Sequence, residues 1–379
     1  METAGLYIHL PFCRTKCHYC AFNSRPLDRR DSAGYLAALH RELERMAAHS
    51  WSKNRRFASL FIGGGTPTIY DSDSLCHLVD ASLSSFRFSA DAEITIEANP
   101  ETANLTKLRR LRKAGVNRIS IGVQSFDDRI LAAIGRCHSG EQGKRAILNA
   151  GEAGFGNINL DLIFGLPGQT VALHEKSMAT AIALGVTHLA VYELMVEQGS
   201  RLPAMIDEQQ LSLPDEKQTV AMMKTTGRLL KAAGLQRYEI SNYSKPGFQC
   251  RHNLNYWQNG SYLGLGAGAV SNFSGLRLVA NAEPGAYVKA IDSNRYPYAE
   301  GEALSEAAGL RETMIMGLRM TGGVDLAAFR QAYPAELLTD YMETIGRLCG
   351  GGLLVRRGDS LRLSARGLML ANRVLAELV

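Results

Sequence analysis

Cys13-Arg14-Thr15-Lys16-Cys17-His18-Tyr19-Cys20, followed by Ala21-Phe22-Asn23, is the run that decides how the rest of the chain is read. Three cysteines fall within eight residues at the spacing CxxxCxxC, just after the alternating stretch Leu6-Tyr7-Ile8-His9-Leu10. Thiolate is the soft ligand that selects zinc or an iron–sulfur cluster. Most such sites take four protein ligands, and here the next position that could supply one is Phe22. Three thiolates can hold three irons of a cubane cluster and leave one iron open to a substrate or cofactor, which suits chemistry more than structure. A zinc site completed by His9 or His18, or three ordinary thiols, would meet the same spacing.

Outward from this run the pattern is regular. Helical spacing predicts a helix over 31–49, capped by Asp31 or Ser32. Ala58-Ser59-Leu60-Phe61-Ile62 reads as a buried strand ending in Gly63-Gly64-Gly65-Thr66-Pro67. Strands are then expected at 93–97, 118–123, 158–163, 188–194 and 238–241. They alternate with helices near 72–85, 104–114, 141–153, 170–184 and 215–233. Such alternation implies parallel strands with helical crossovers, an α/β fold built as a TIM-like, partial β/α barrel. Beyond about Val279 the alternation stops. A helix over 307–320, another over 335–348, a hairpin across Gly358-Asp359 and a last helix from Ala365 predict a smaller C-terminal, helical, winged-helix-like domain. The expected domains are 1–278 and 279–379.

Composition narrows the function. A hydrophobic share of 46%, a charged share of 21% and a net charge of +5 over 379 residues describe an ordinary soluble globular protein. The densest basic patch, Arg109-Arg110-Leu111-Arg112-Lys113, has Leu108, Leu111 and Ala114 at helical spacing and reads as the solvated face of a helix, so no nucleic-acid partner is expected. Seven cysteines, four of them scattered singly, make no disulfide framework and suit a reducing cytoplasm. Met1 to Gly5 lead straight into a strand with no leader pattern, and no apolar run reaches membrane-spanning length.

In a barrel of this type the working residues sit at the carboxyl ends of strands. Gly64, Gly65 and Thr66 can bring backbone N–H groups close to a ligand, although no Walker or dinucleotide pattern follows them, and a plain tight turn would use the same glycines. Glu97 ends its strand and suits a ribose hydroxyl or an amine. Gln124 ends another, and Arg136 lies one short helix beyond. Asp161 sits between Leu160 and Leu162, where a carboxylate must be paired or face a polar cavity. Together they suit a ligand that combines an amino acid with a nucleoside.

CxxxCxxC followed by GGGTP resembles the radical S-adenosylmethionine (SAM) superfamily. The stretches around Tyr7, Glu97, Gln124 and Asp161 resemble the branch that contains oxygen-independent coproporphyrinogen III oxidase and, within it, more closely the heme chaperones called HemW, which also carry His252-Asn253-x-x-Tyr256-Trp257. The resemblance implies a [4Fe–4S] cluster on Cys13, Cys17 and Cys20, and SAM on the open iron. It implies SAM contacts from Tyr7, Tyr19, Gly64 and Glu97. Gly65, Thr66, Gln124, Arg136 and Asp161 match positions that contact a second SAM or line the shared pocket. It also implies electron transfer from a flavodoxin or ferredoxin, and cleavage of SAM to methionine and a 5′-deoxyadenosyl radical. Phe22 stands where the oxidase has an extra cysteine, and only Met1 to Gly5 stand where the oxidase has an arm; both favour the chaperone branch. Its usual Gly-x-Gly-Ala-His-Ser reads Gly266-Ala267-Gly268-Ala269-Val270-Ser271, and Val270 cannot ligate iron, which leaves His252 and Cys250 as candidate heme ligands. The implied role is binding heme and passing it to apo-hemoproteins in the cytoplasm, at the surface of the inner membrane. An anaerobic coproporphyrinogen III oxidase is the second reading, and a purely structural cluster the third.

Overall fold

The computed structural model describes residues 3–379. Met1 and Glu2, part of the expected lead-in, lie outside the described residues. Six parallel strands follow the chain in order: β1 (Thr3–Leu10), β2 (Arg56–Gly64), β3 (Phe88–Ala98), β4 (Arg118–Gln124), β5 (Asn157–Phe164) and β6 (His188–Glu193). The helices between them include α1 (Arg29–Ala48), α2 (Ser72–Ser85), α3 (Leu105–Lys113), α4 (Asp128–Ala133), α5 (Gly140–Glu152) and α6 (Val171–Ala183), with α7 (Glu216–Ala232) after β6. Caps fix where the longer helices start. Asp71, Asn104 and Thr170 each accept an N–H of the first turn, and Ser139 with Gln142 forms a capping box.

Side chains alternate across each strand. Leu6, Ile8 and Leu10 of β1, Leu60 and Ile62 of β2, and Ile119 and Ile121 of β4 are fully buried in the main apolar core. The residues between them, among them Tyr7, Glu97, Ser120 and Asp161, line the cavities described below. The outer apolar layer carries stability, which leaves the inner layer free to be polar.

The strand after α8 (Arg251–Trp257), β9 (Tyr262–Leu265), pairs parallel to β1 on its other side. Among the described residues the sheet does not close. β7 (Gln236–Arg237) and β8 (Asn242–Ser244) add an antiparallel edge beyond β6, while β10 (Val270–Phe273), β11 (Leu276–Ala280) and β12 (Tyr298–Ala303) extend the sheet beyond β9. The barrel is therefore partial, as expected. The domain boundary expected between 278 and 279 falls inside β11, which still hydrogen-bonds into the large sheet.

Residues 238–241, expected as a strand, are the connection between β7 and β8. Glu239 is buried there and accepts from Ser241 N at 2.8 Å and Asn242 Nδ2 at 2.5 Å, so a local carboxylate contact holds the turn.

A separate apolar core begins at Leu310 and runs to Leu378. It packs α9 (Glu306–Leu318), α10 (Leu326–Ala332) and α11 (Ala335–Gly350) on a three-stranded antiparallel sheet of β13 (Val324–Asp325), β15 (Ser360–Leu363) and β14 (Leu354–Arg357), in that order. This is a winged-helix-like arrangement. The basic patch on α3 is on the helix surface, where Arg109 pairs with Glu152 at 2.9 Å and Arg110 with Asp73. No helix among the described residues is long and apolar enough to cross a membrane.

Candidate cluster and cofactor site

The cysteine loop is fastened to the barrel mouth at both ends. Phe12 and Cys13 pair with Arg25 and Pro26 as two short parallel strands. Thr66 N donates to the Phe12 carbonyl at 2.8 Å, and His18 N donates to the Ile134 carbonyl at 3.0 Å. Phe12 is fully buried, with Tyr35 and Tyr70 edge-on to its ring. A loop held by main-chain bonds and an aromatic plug keeps its thiols in place.

Cys13, Cys17 and Cys20 line one cavity of about 100 Å³ at the carboxyl ends of the strands. Tyr19, Gly64, Gly65, Thr66, Glu97, Gln124, Arg136 and Asp161 line the same cavity. Thr66 Oγ1 donates to Cys13 Sγ at 3.5 Å, and Arg136 Nη1 to Cys17 Sγ at 3.6 Å. Burial raises the pKa of both thiols; the Thr66 hydroxyl opposes this at Cys13, and the Arg136 cation opposes it at Cys17. The three thiols also lie within electrostatic reach of one another, since both Cys17 and Cys20 push the Cys13 pKa up. Neither histidine that a zinc site would need is offered to the thiols: neither lines their cavity, and both ring nitrogens of His9 are taken. His9 bonds Tyr7 OH at 2.9 Å through Nδ1 and the Asn23 carbonyl at 2.8 Å through Nε2, and His18 Nδ1 bonds the Ala133 carbonyl at 3.2 Å. Three soft donors around a polar gap, with a guanidinium beside one of them, fit an anionic thiolate cluster.

The glycine run does structural work at this edge. A Cβ on Gly65 would lie 2.5 Å from the Phe12 carbonyl oxygen, so only glycine lets β2 touch the cysteine loop. Gly64 has φ +114° and donates its N–H to Glu97 Oε2 at 3.1 Å. Burial, and then the neighbouring Asp161 charge, push the Glu97 pKa up to about 8 against the pull of that N–H and of Arg118. Burial raises Asp161 as well, although its carboxylate accepts from Asn159 Nδ2 at 2.6 Å and Ser120 Oγ at 3.3 Å. Gln124 has φ +68°, a conformation few non-glycine residues adopt, and the pairing of β4 with β5 slips beside it. That bulge aims Gln124 into the cavity. Arg136 is held by Asn99 Oδ1 at 2.8 Å and by the Gly122 carbonyl.

Two larger cavities open from this one. Tyr7 lines the first, of about 490 Å³, together with Tyr256, Trp257 and Val270; burial, and then Glu97, raise the pKa of the Tyr7 phenol. The second, of about 550 Å³, runs into the barrel between Tyr19, Phe61, Arg118, Asp161 and Tyr192. Phe22 and Glu97 line all three, so the cavities share one mouth.

His252 and Cys250, the candidate heme ligands, are not brought to this mouth. His252 is 1% exposed, with Nδ1 on Ser59 Oγ at 2.8 Å and Nε2 on Tyr256 OH at 3.0 Å. Burial, aided by Arg118, lowers its pKa to about 3. Cys250 is wholly buried, donates to Glu93 Oε1 at 3.4 Å and is pushed up to about 12 by burial. Both atoms that would coordinate iron are already engaged inside the protein. Sequence reasoning also missed Asn99, which donates to Thr66 Oγ1 at 2.9 Å and so joins the glycine wall to Arg136. It missed Asn159 too, although its place two residues before Asp161 puts it on the same strand face.

Residues 7–180 match the radical SAM superfamily, and residues 304–370 match the HemN C-terminal domain. The chain is 36% identical to the heme chaperone HemW of Bacillus subtilis (strain 168), over 97% of this chain and 97% of that protein. It is 41% identical to heme chaperone HemW of Escherichia coli (strain K12), over 70% of this chain and 69% of that protein. Among solved structures it is similar to coproporphyrinogen III oxidase (HemN) from Escherichia coli, a radical SAM enzyme, with a TM-score of 0.86 at 25% identity over 100% of this chain and 90% of that one. With a near-full-length likeness to one set of relatives and the three-thiol mouth at the strand ends, the chain belongs to the HemW heme chaperone family of the radical SAM superfamily.

Proposed function

We propose that this protein is a heme chaperone that holds a [4Fe–4S] cluster, SAM and heme and hands heme to apo-hemoproteins. The observation that carries the choice of chaperone over oxidase is the extent of likeness: 36% identity along 97% of the chain to a HemW, against 25% to the oxidase of known structure. Cys13, Cys17 and Cys20 would hold the cluster, and Gly64, Glu97, Gln124, Arg136 and Asp161 would receive SAM. When bound, this pair supplies one-electron chemistry.

The chain's own residues have definite tasks. Arg136 neutralises charge beside Cys17 and favours its thiolate. Glu97, protonated up to about pH 8, can donate a proton to a ligand oxygen or, once ionised, accept from a ligand ammonium. Gly64 N–H fixes which way that carboxyl points. Phe61 and Tyr192 give the 550 Å³ cavity aromatic walls suited to the flat face of a porphyrin. The expected setting is the cytoplasm, with a flavodoxin- or ferredoxin-like donor and recipients at the inner membrane surface. The domain division is proposed to follow the change from the large sheet to the second apolar core.

The test is anaerobic reconstitution followed by two assays on the same sample. Hemin titration should give a stable Soret band and transfer to an apo-hemoprotein. Incubation with SAM, reductant and coproporphyrinogen III should give no protoporphyrinogen. Porphyrin turnover without hemin binding would overturn the chaperone reading in favour of the oxidase.

A further inference from the structure

Arg118 opens β4 and is one of the largest fully buried side chains of the protein, at 2% exposure. It borders the 550 Å³ cavity from inside the barrel. Its side chain makes no hydrogen bond or ion pair with any described residue, and Nε is buried without a partner. The nearby carboxylates are occupied. Glu93 accepts the backbone N–H groups of Arg251 and His252 at 3.0 and 3.1 Å, Asp161 is held by Asn159 and Ser120, and Glu97 by Gly64. They attract Arg118 only through space. A buried guanidinium presents five donors in a planar fork that matches a carboxylate, and leaving it unpaired is costly.

The cavity before it has a consistent character. Phe61, Ile163, Tyr192 and Met195 supply apolar wall, and the mouth ends at Phe22, which is 70% exposed. At about 550 Å³ it falls in the roughly 300–1,000 Å³ range of small-molecule sites. Glu97, Asp161, Glu193 and Glu197 also line it, so the slot has apolar walls, an acidic share and one unpaired cation, and it suits a broad, apolar ligand whose carboxylate reaches the guanidinium.

We infer that Arg118 anchors a ligand carboxylate in this cavity and that, given the heme reading above on which this rests, the carboxylate is a propionate of the tetrapyrrole. The methionyl carboxylate of SAM has the same chemistry and is the alternative source. Wild type, Arg118→Lys and Arg118→Met, reconstituted with the cluster, are titrated with hemin, hemin dimethyl ester and SAM; melting curves confirm the fold. Wild type should bind the ester about ten- to a hundredfold more weakly than hemin, the loss of one charge-assisted contact. Arg118→Met should bind both alike, and Arg118→Lys should retain part of the preference. If hemin and ester bind wild type equally while Arg118→Met weakens SAM by a similar factor, the anchor stands and its carboxylate is that of SAM. If hemin and ester are equal and SAM is unchanged in Arg118→Met, the inference is overturned and Arg118 serves only to balance the buried acids. The wild-type ester comparison holds even if Arg118→Met does not fold. Absence of any hemin binding by wild type would sink the chaperone reading, while the SAM arm still decides Arg118.

Discussion

Glu97→Gln tests the electrostatics of the barrel mouth directly. In the folded chain Glu97 keeps its proton up to about pH 8, against an ordinary 4.5. The folded state therefore binds more protons than the unfolded state between those values, so stability falls as pH rises through that window and the loss is complete above about pH 8. At ~1.4 kcal/mol per pH unit, the displacement from 4.5 to about 8 corresponds to about 5 kcal/mol. This is an upper limit, because Glu97 lines three cavities from which water reaches it. The amide in Glu97→Gln still accepts the Gly64 N–H but cannot ionise, and it also relieves Asp161 of a like charge. Urea unfolding of the cluster-free protein, run from pH 5 to pH 9, measures the difference. Wild type should lose about 2–5 kcal/mol more than Glu97→Gln across that range. Parallel pH profiles, with less than about 1 kcal/mol between them, would refute the claim that burial and Asp161 hold this carboxyl neutral.

Three further outcomes follow from named contacts. Cys17→Ala should abolish iron uptake and the visible iron–sulfur absorbance on anaerobic reconstitution; zinc taken up in place of iron would count against a cluster. Gly65→Ala puts a methyl 2.5 Å from the Phe12 carbonyl, so it should cost about 1–3 kcal/mol in urea unfolding and lower the iron bound per chain; unchanged values for both would mean the two segments separate freely. His252→Ala should leave hemin affinity unchanged while costing about 2–4 kcal/mol, since Ser59 and Tyr256 lose their buried partner. A folded His252→Ala protein without a Soret band would restore that histidine as an iron ligand.

The barrel was legible because its two periodicities are long and regular. The strands β1 to β6 each bury an apolar outer face, and the capped helices between them declare their starts. What lay beyond β6 was harder to read for a physical reason. β7 and β8 are two and three residues long, and the stretch between them turns on a buried carboxylate, Glu239, rather than on a glycine or proline signal. β9 to β12 are short strands whose pairing depends on the sheet edge they meet, not on their own composition. The boundary placed at 278/279 falls inside β11: the hairpins that join β9, β10 and β11 already extend the large sheet, so a change in connection does not mark where the sheet ends.

The site divides along the same line. Residues at strand ends were legible, because parallel strands in register bring their carboxyl ends to one mouth whatever their distance in the chain; Cys13, Gly64, Glu97 and Gln124 meet for that reason. Cys250 and His252 misled because ligand-type residues two apart look alike whether they face solvent, a cavity or the core. What decides between these is Glu93, some 160 positions earlier, which takes the Cys250 thiol and the Arg251 and His252 N–H groups at once and turns that short helix inward. Arg118 is the converse case. A basic residue at the start of a strand reads as an exposed end, yet the barrel puts it on the inner face among carboxylates whose hydrogen bonds are already made. Burial of a polar group is a property of the whole sheet, so the interior cation, which does most to define what the cavity can hold, leaves the weakest trace in the local sequence.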